Sequence, residues 1–244
     1  MCMVYGLINF FFFIFFNIII IKMNTDIDSI YKVLNKSVKE YKVPIVDLVE
    51  VQTKDPFKIL IATTLSARTS DSVTAEACKK LFVKANSLND LEKLTVKQIE
   101  KLIYPVGFYR NKAKHLKKLP LVLKEKFDNK IPKTIEELIA LPGVGRKTAN
   151  LVMAVAFKIP AICVDVHVNR IMNRFGYIKT KNPLETEMAL RKKLPKKYWL
   201  KINYIIVAFG QNLCKPINPQ CNICPVYKYC KRVDVKTKHR RILK

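Results

Sequence analysis

The stretch Leu141–Asn150 reads LPGVGRKTAN, and it decides the fold. Only six glycines occur in 244 residues, and two of them, Gly143 and Gly145, fall here in a Gly-x-Gly turn. Upstream, Thr134 and Glu137 stand at capping-box spacing, so a helix starts there and ends near Ala140. Downstream, an apolar helix is expected from about Arg146 to Phe157. Two helices joined by such a turn form a hairpin. Its backbone N–H groups can approach a phosphate closely because glycine has no Cβ, and the second helix aims its positive N-terminal end at the same place. The spacing alone also allows an ordinary helix connection, so the residues around the hairpin must decide its use.

Outward from the hairpin the pattern is helical nearly throughout, with apolar residues three and four apart and no sustained period-two alternation. Phe57, Leu60, Ile61, Thr64 and Leu65 make one stripe behind Pro56, and Val73, Ala77 and Leu81 make the next. Thr95 with Gln98 repeats the capping-box spacing, and further helices are expected around Lys112–Phe127, Leu184–Leu194 and Trp199–Asn212. The predicted class is all-α, with about ten helices. So few glycines exclude collagen-like and turn-dense all-β architectures, and a 50% apolar composition excludes disorder as the main state.

The charge points to the partner. Lys and Arg number 45 against 19 Asp and Glu, a formal net charge of +26. Such an excess repels itself unless a polyanion neutralises it, with nucleic acid the first expectation and anionic membrane the second. The leader Met1–Ile21 carries no charge and is rich in Phe and Ile. It lacks the basic start and small-residue cleavage site of a secretory signal. It is read as sequence ahead of a true start at Met23, the alternative being a membrane segment with the basic remainder in the cytoplasm. Removing residues 1–22 takes away one charge, Lys22, so the polyanion argument stands either way. The expected location is the cytoplasm, and the chain is expected to be a monomer.

Four of the seven cysteines, Cys214, Cys221, Cys224 and Cys230, are spaced C-x6-C-x2-C-x5-C. In a basic, DNA-oriented chain a metal site is the better reading than disulfides. Four thiolates suit zinc or an iron–sulfur cluster, and ligand chemistry alone does not choose between them. Cys2, Cys78 and Cys163 have no partner at ligand spacing.

Lys147 stands near the start of the second hairpin helix, and Asp165 follows in VDVH, Val164–His167. Taken alone, the lysine is a phosphate binder or a solvated helix residue. An amine becomes a nucleophile only when neutral, which requires shelter from water or positive neighbours such as Arg146 and the helix N-terminus.

LPGVGRKTAN and VDVH, together with PFKILIATTLSART at Pro56–Thr69, VGFYRNKA at Val106–Ala113 and the four-cysteine signature, resemble the helix-hairpin-helix DNA glycosylases of the endonuclease III family. The resemblance covers nearly everything after Met23. It implies two lobes, a six-helix lobe over residues 49–159 and a lobe made of residues 23–48 and 160–244, with duplex DNA lying across the groove between them. It implies a four-iron, four-sulfur cluster on the four cysteines, folding a basic loop rather than doing chemistry. Lys147 is then the nucleophile, Asp165 the carboxylate that stabilises the sugar cation, and Gly143, Val144 and Gly145 the DNA-binding turn. Arg68 matches a residue that faces the orphaned base and Phe108 the wedge that fills the gap, where relatives often carry glutamine and leucine; these departures leave the opposing-base preference open. The basic run Arg110, Lys112, Lys114, Lys117 and Lys118 is assigned to phosphate attraction. The implied activity is removal of oxidised pyrimidines and cleavage at abasic sites. The alternatives are a mismatch glycosylase without lyase activity, which would not carry Lys147, and a non-catalytic iron–sulfur DNA-binding module. His167 is expected to make local hydrogen bonds rather than act as a base.

Overall fold

The computed structural model describes residues 25–41, Val49 and 53–236. The apolar leader and the end of the basic C-terminal run lie outside the described residues. Eleven α-helices have described bounds and there is no strand among the described residues, as the all-α expectation requires. No helix among them is long and apolar enough to cross a membrane.

The helices begin where the sequence supplies caps. Asp26 caps α1 (Ile27–Ser37), and Asp55 Oδ1 accepts from Phe57 N at 2.9 Å ahead of α2 (Pro56–Ser66), where proline at the first position loses no hydrogen bond. After α3 (Asp71–Lys84) and α4 (Leu88–Lys93), α5 (Val96–Ile103) starts with the full reciprocal box of Thr95 and Gln98. The box expected at Thr134 is half made. Its Oγ1 accepts from Glu137 N at 3.3 Å, but the Glu137 carboxylate meets that same hydroxyl at 2.7 Å instead of returning to the backbone.

Long α6 (Tyr109–Phe127) leads to α7 (Ile135–Ile139) and α8 (Arg146–Ala156), the two arms of the hairpin. Seven helices thus lie between Pro56 and Ala156. The chain closes with α9 (Val166–Arg174), α10 (Pro183–Lys193) and α11 (Trp199–Asn212), followed by single 3-10 turns in the cysteine segment.

Helix α2 buries more than the stripe its periodicity predicts, because Ile59, Ala62 and Thr63 are buried too. It runs through the centre, packed against α3, α6 and α8, and the hydroxyls of Thr63 and Thr64 return to the carbonyls of Ile59 and Leu60. A polar atom in so dry a place needs that partner.

Buried apolar side chains form three clusters. Two belong to the helices between Pro56 and Ala156. The third joins Ile27, Ile30 and Leu34 of α1 to residues of α9, α10 and α11, so the N-terminal helix is returned to the C-terminal half of the chain. The segment Ala161–Val164 threads between them fully buried. Ala161 and Cys163 pack with the central helices, whereas Ile162 and Val164 pack with the third cluster. Extended backbone sends successive side chains to opposite sides, so four residues stitch two cores together and deliver Asp165 at their seam.

Candidate active site

The hairpin turn is built so that its backbone faces out and its side chains face in. Val144 and Leu141 are buried, while Gly143 and Gly145 are exposed. Gly143 adopts φ +76°, and a Cβ there would come within 2.5 Å of His115 Nδ1, so glycine is required twice over. Gly145 has ordinary extended backbone and open space around it; as the cap of α8 it brings no side-chain hydrogen bond. The first-turn N–H groups of α8 therefore have no side-chain oxygen covering them, which suits an approaching phosphate.

Adjacent cations at the start of α8 part company. Arg146 makes a two-pronged ion pair with buried Glu187, Nε to Oε2 and Nη2 to Oε1, both at 3.0 Å. Arg191 donates to the same carboxylate at 2.9 Å and to Asn150 Oδ1 at 2.9 Å. Arg146, expected as a positive neighbour of Lys147, is turned to Glu187, a carboxylate it shares with Arg191, and this network ties α8 to α10. Lys147 is exposed and opens into a cavity of about 520 Å³. The protein itself does not shelter it, so shelter must come with a bound partner.

The same cavity receives Asp165, Arg68, His167, Asn203 and Gln211. Asp165 is the cap of α9, its Oδ1 accepting from His167 N and Val168 N, both at 2.9 Å. Two N–H donors on Oδ1 hold the carboxylate in place at the cavity wall. The walls come from both halves of the chain: Asn203 Nδ2 holds the Cys163 carbonyl at 3.2 Å, and Gln211 Nε2 reaches Asp71 Oδ2 at 3.4 Å across the mouth.

His167 behaves as expected for a hydrogen-bonding residue. Burial, with Arg170 and Lys147 nearby, holds its pKa below the ordinary value despite the opposing pull of Asp165. Arg170 Nη2 lies 3.1 Å from Nδ1. Arginine only donates, so Nδ1 accepts and Nε2 carries the proton.

Arg68 and Phe108 come together at the rim. Both are exposed, and the Arg68 guanidinium carbon stands 5.4 Å from the centre of the Phe108 ring. Their neighbour Lys112 does not join the phosphate-attracting run. It is 7% exposed, its Nζ donates to the carbonyls of Leu65 at 2.8 Å and Ala67 at 2.6 Å, and burial pushes its pKa down to about 8. Lysine in a basic run is assigned to the surface by default, and nothing local marks this one as buried. Lys117 likewise donates to the Glu92 carbonyl at 2.6 Å.

Cys214, Cys221, Cys224 and Cys230 line one small cavity with Arg174, Phe175, Phe209, Tyr227 and Arg232. Arg174 Nη1 donates to Cys214 Sγ and Arg232 N to Cys230 Sγ, both at 3.4 Å. Burial raises the thiols of Cys221 and Cys230 and pushes that of Cys224 up to about 11, so a metal centre must displace protons on binding. Among the described residues no group of three His, Cys, Asp or Glu is arranged to hold a metal ion. Four soft donors around one cavity, with guanidinium and N–H groups directed at sulfur, nonetheless fit the donor chemistry of an iron–sulfur cluster. Cys78 is buried, its thiol pushed up to about 12, a structural residue.

Residues 61–196 match the HhH-GPD superfamily of base excision DNA repair proteins. Endonuclease III of Thermotoga maritima is 47% identical over 176 residues, which cover 72% of this chain and 83% of that protein. The chain belongs to the endonuclease III family. Among solved structures, a non-covalent endonuclease III–DNA complex superposes with a TM-score of 0.77 at 35% identity, covering 86% of this chain and 95% of that one. A trapped covalent endonuclease III–DNA intermediate with an estranged adenine gives 0.71 at 34% identity, covering 84% and 95%. Members of this family generally carry an iron–sulfur cluster.

Proposed function

We infer that this chain is a bifunctional DNA glycosylase and abasic-site lyase of base excision repair, acting on oxidised pyrimidines in duplex DNA. The observation that carries the assignment of roles is the meeting of Lys147 and Asp165 in one cavity at the seam of the two cores, beside the exposed hairpin turn. The N–H groups around Gly143, Val144 and Gly145 take a phosphate, and the damaged nucleotide leaves the stack because its anomeric carbon is unreachable within it. A cavity of about 520 Å³ is large enough for one base and its sugar.

As the base departs, the Asp165 carboxylate stabilises the positive charge that develops on the sugar. The entering nucleotide expels water from around Lys147, which gives its proton to a base in the cavity, Asp165 being the carboxylate that shares that cavity. The free amine then bonds to the anomeric carbon, the sugar ring opens to a Schiff base, and loss of a proton from the 2′ carbon expels the 3′ phosphate. Arg68 and Phe108 occupy the space that the flipped nucleotide vacates. The cysteines would hold a four-iron, four-sulfur cluster that, when bound, cross-links the loop and presents Lys215, Lys228 and Lys231 to phosphates.

Borohydride trapping tests the assignment. The full chain should form a covalent adduct with duplex carrying thymine glycol or an abasic site, and Lys147→Ala should not. Base release without any adduct in the wild type would instead identify a glycosylase lacking lyase chemistry. Neither activity, with DNA binding retained, would leave a non-catalytic binding module.

A further inference from the structure

Lys112 is a buried cation that the chemistry above does not use. Taking an ammonium out of water costs several kcal/mol unless its donors are met. Here three N–H donors face three acceptors: Leu65 O at 2.8 Å, Ala67 O at 2.6 Å and Thr69 Oγ1 at 3.4 Å. Leu65 lies in the last turn of α2 and Ala67 caps it, so the charge also sits at the negative end of that helix.

Lys112 itself belongs to the first turn of α6, whose cap is Phe108. The Thr69 hydroxyl accepts a second bond from Gly107 N at 3.1 Å, and a Cβ on Gly107 would stand 2.4 Å from the Arg68 carbonyl oxygen. Two turns 40 residues apart in sequence are thus clasped backbone to backbone around one lysine. Both residues they present are non-glycine residues in the left-handed region, Arg68 at φ 54° and Phe108 at φ 58°. Such backbone persists only where its surroundings hold it.

We propose that Lys112 is a positioning residue that locks the Arg68 turn to the Phe108 turn, so that guanidinium and ring stand as one prebuilt unit at the rim before DNA arrives. This rests on the reading of Arg68 and Phe108 as the groups that replace a flipped nucleotide. A prebuilt unit matters only when a stacked base pair must be held open.

Single-turnover base release by the full chain is therefore compared on two substrates: a damaged pyrimidine in a fully paired duplex, and the same lesion in an unpaired bubble flanked by duplex. Relative to wild type on each substrate, Lys112→Met should lose about 10–100-fold on the paired duplex, but less than about threefold in the bubble. Thr69→Val, which removes one acceptor with little change in volume, should shift the same ratio less far and carries the test if Lys112→Met folds poorly. Arg68→Ala with Phe108→Ala should reproduce the duplex loss, and adding Lys112→Met to that pair should cost nothing more.

Equal losses on both substrates would mean a general structural role and would overturn the proposal, as would no loss on either. A double alanine variant that releases base normally from paired duplex would bring down the gap-filling reading and this proposal together. If the double variant is impaired while Lys112→Met is not, the role of Lys112 alone falls.

Discussion

The hairpin turn and the cysteine loop are both irregular, yet they are held in opposite ways. The turn is pinned by its own polypeptide: Leu141 and Val144 are buried, Gly143 packs against His115, and the flanking helices sit in a common core. Residues 214–230 bury only Pro219 and Val226, and leave Ile217 81% and Ile223 62% exposed. Two arginines of α9 and one buried side chain anchor them: Arg174 donates to the carbonyls of Lys215 at 2.7 Å and Pro216 at 2.8 Å, Arg170 to that of Cys214 at 2.9 Å, and Val226 enters the third cluster. The difference teaches that apolar burial suffices to shape a turn a few residues long between packed helices. A longer loop without a core of its own needs a cross-link.

The largest effect should come from the packed side. Asp165→Asn should lower base release by about 10²–10³-fold, the size expected for removing a group that stabilises charge in the transition state. Asparagine caps helices about as well as aspartate, so the melting temperature should hardly move, whereas Asp165→Ala should in addition cost about 1 kcal/mol. Calorimetry beside single-turnover kinetics separates the two roles. A large melting shift in Asp165→Asn would mean that the seam depends on the charge itself.

An intermediate effect belongs to the cysteine loop. Cys224→Ser, or removal of iron by chelation, should lower duplex affinity about tenfold and flatten its salt dependence by about one phosphate contact or more. Amide hydrogen exchange in α7 and α8 should stay as in wild type. Faster exchange throughout the hairpin would break the distinction between a self-supporting turn and a ligand-supported loop.

The smallest effect sharpens the comparison at the seam. His167 is held neutral in the folded chain, with its pKa below the ordinary value. As pH falls through about 6.5, the unfolded chain takes up a proton before the folded one, so this group's contribution to stability is present above that pH and lost below it. His167→Gln should flatten the fall in melting temperature as the pH drops below about 6.5. An unchanged slope would assign acid sensitivity to other groups.

Much of the architecture was legible in the sequence. Prolines and capping residues marked the helix starts, and the bounds expected for Trp199–Asn212 match those observed. The hairpin was read from two glycines, and the turn indeed demands one of them by its backbone angle. Less legible were the all-round burial of α2, which a stripe of apolar residues understates, and the extended segment Ala161–Val164, too short to show its alternation between two cores. The half-made box at Thr134 shows that spacing establishes a cap but not which of its hydrogen bonds is returned.

By itself the sequence determined the helical class, the hairpin, the four thiols and the pair Lys147 and Asp165 on which the proposed chemistry rests, because each rests on a local pattern or a motif with its own residues. Which cations are engaged within the fold and which stay open was decided only by the tertiary structure. Arg146, Lys147 and Lys112 read alike along the chain, but the first is bound to Glu187 41 residues away, the third to Leu65 47 residues away, and only Lys147 opens into the cavity. A positive side chain has the same local signature whether it meets water, phosphate or a buried oxygen, and the partner that settles its fate comes from a distant part of the chain.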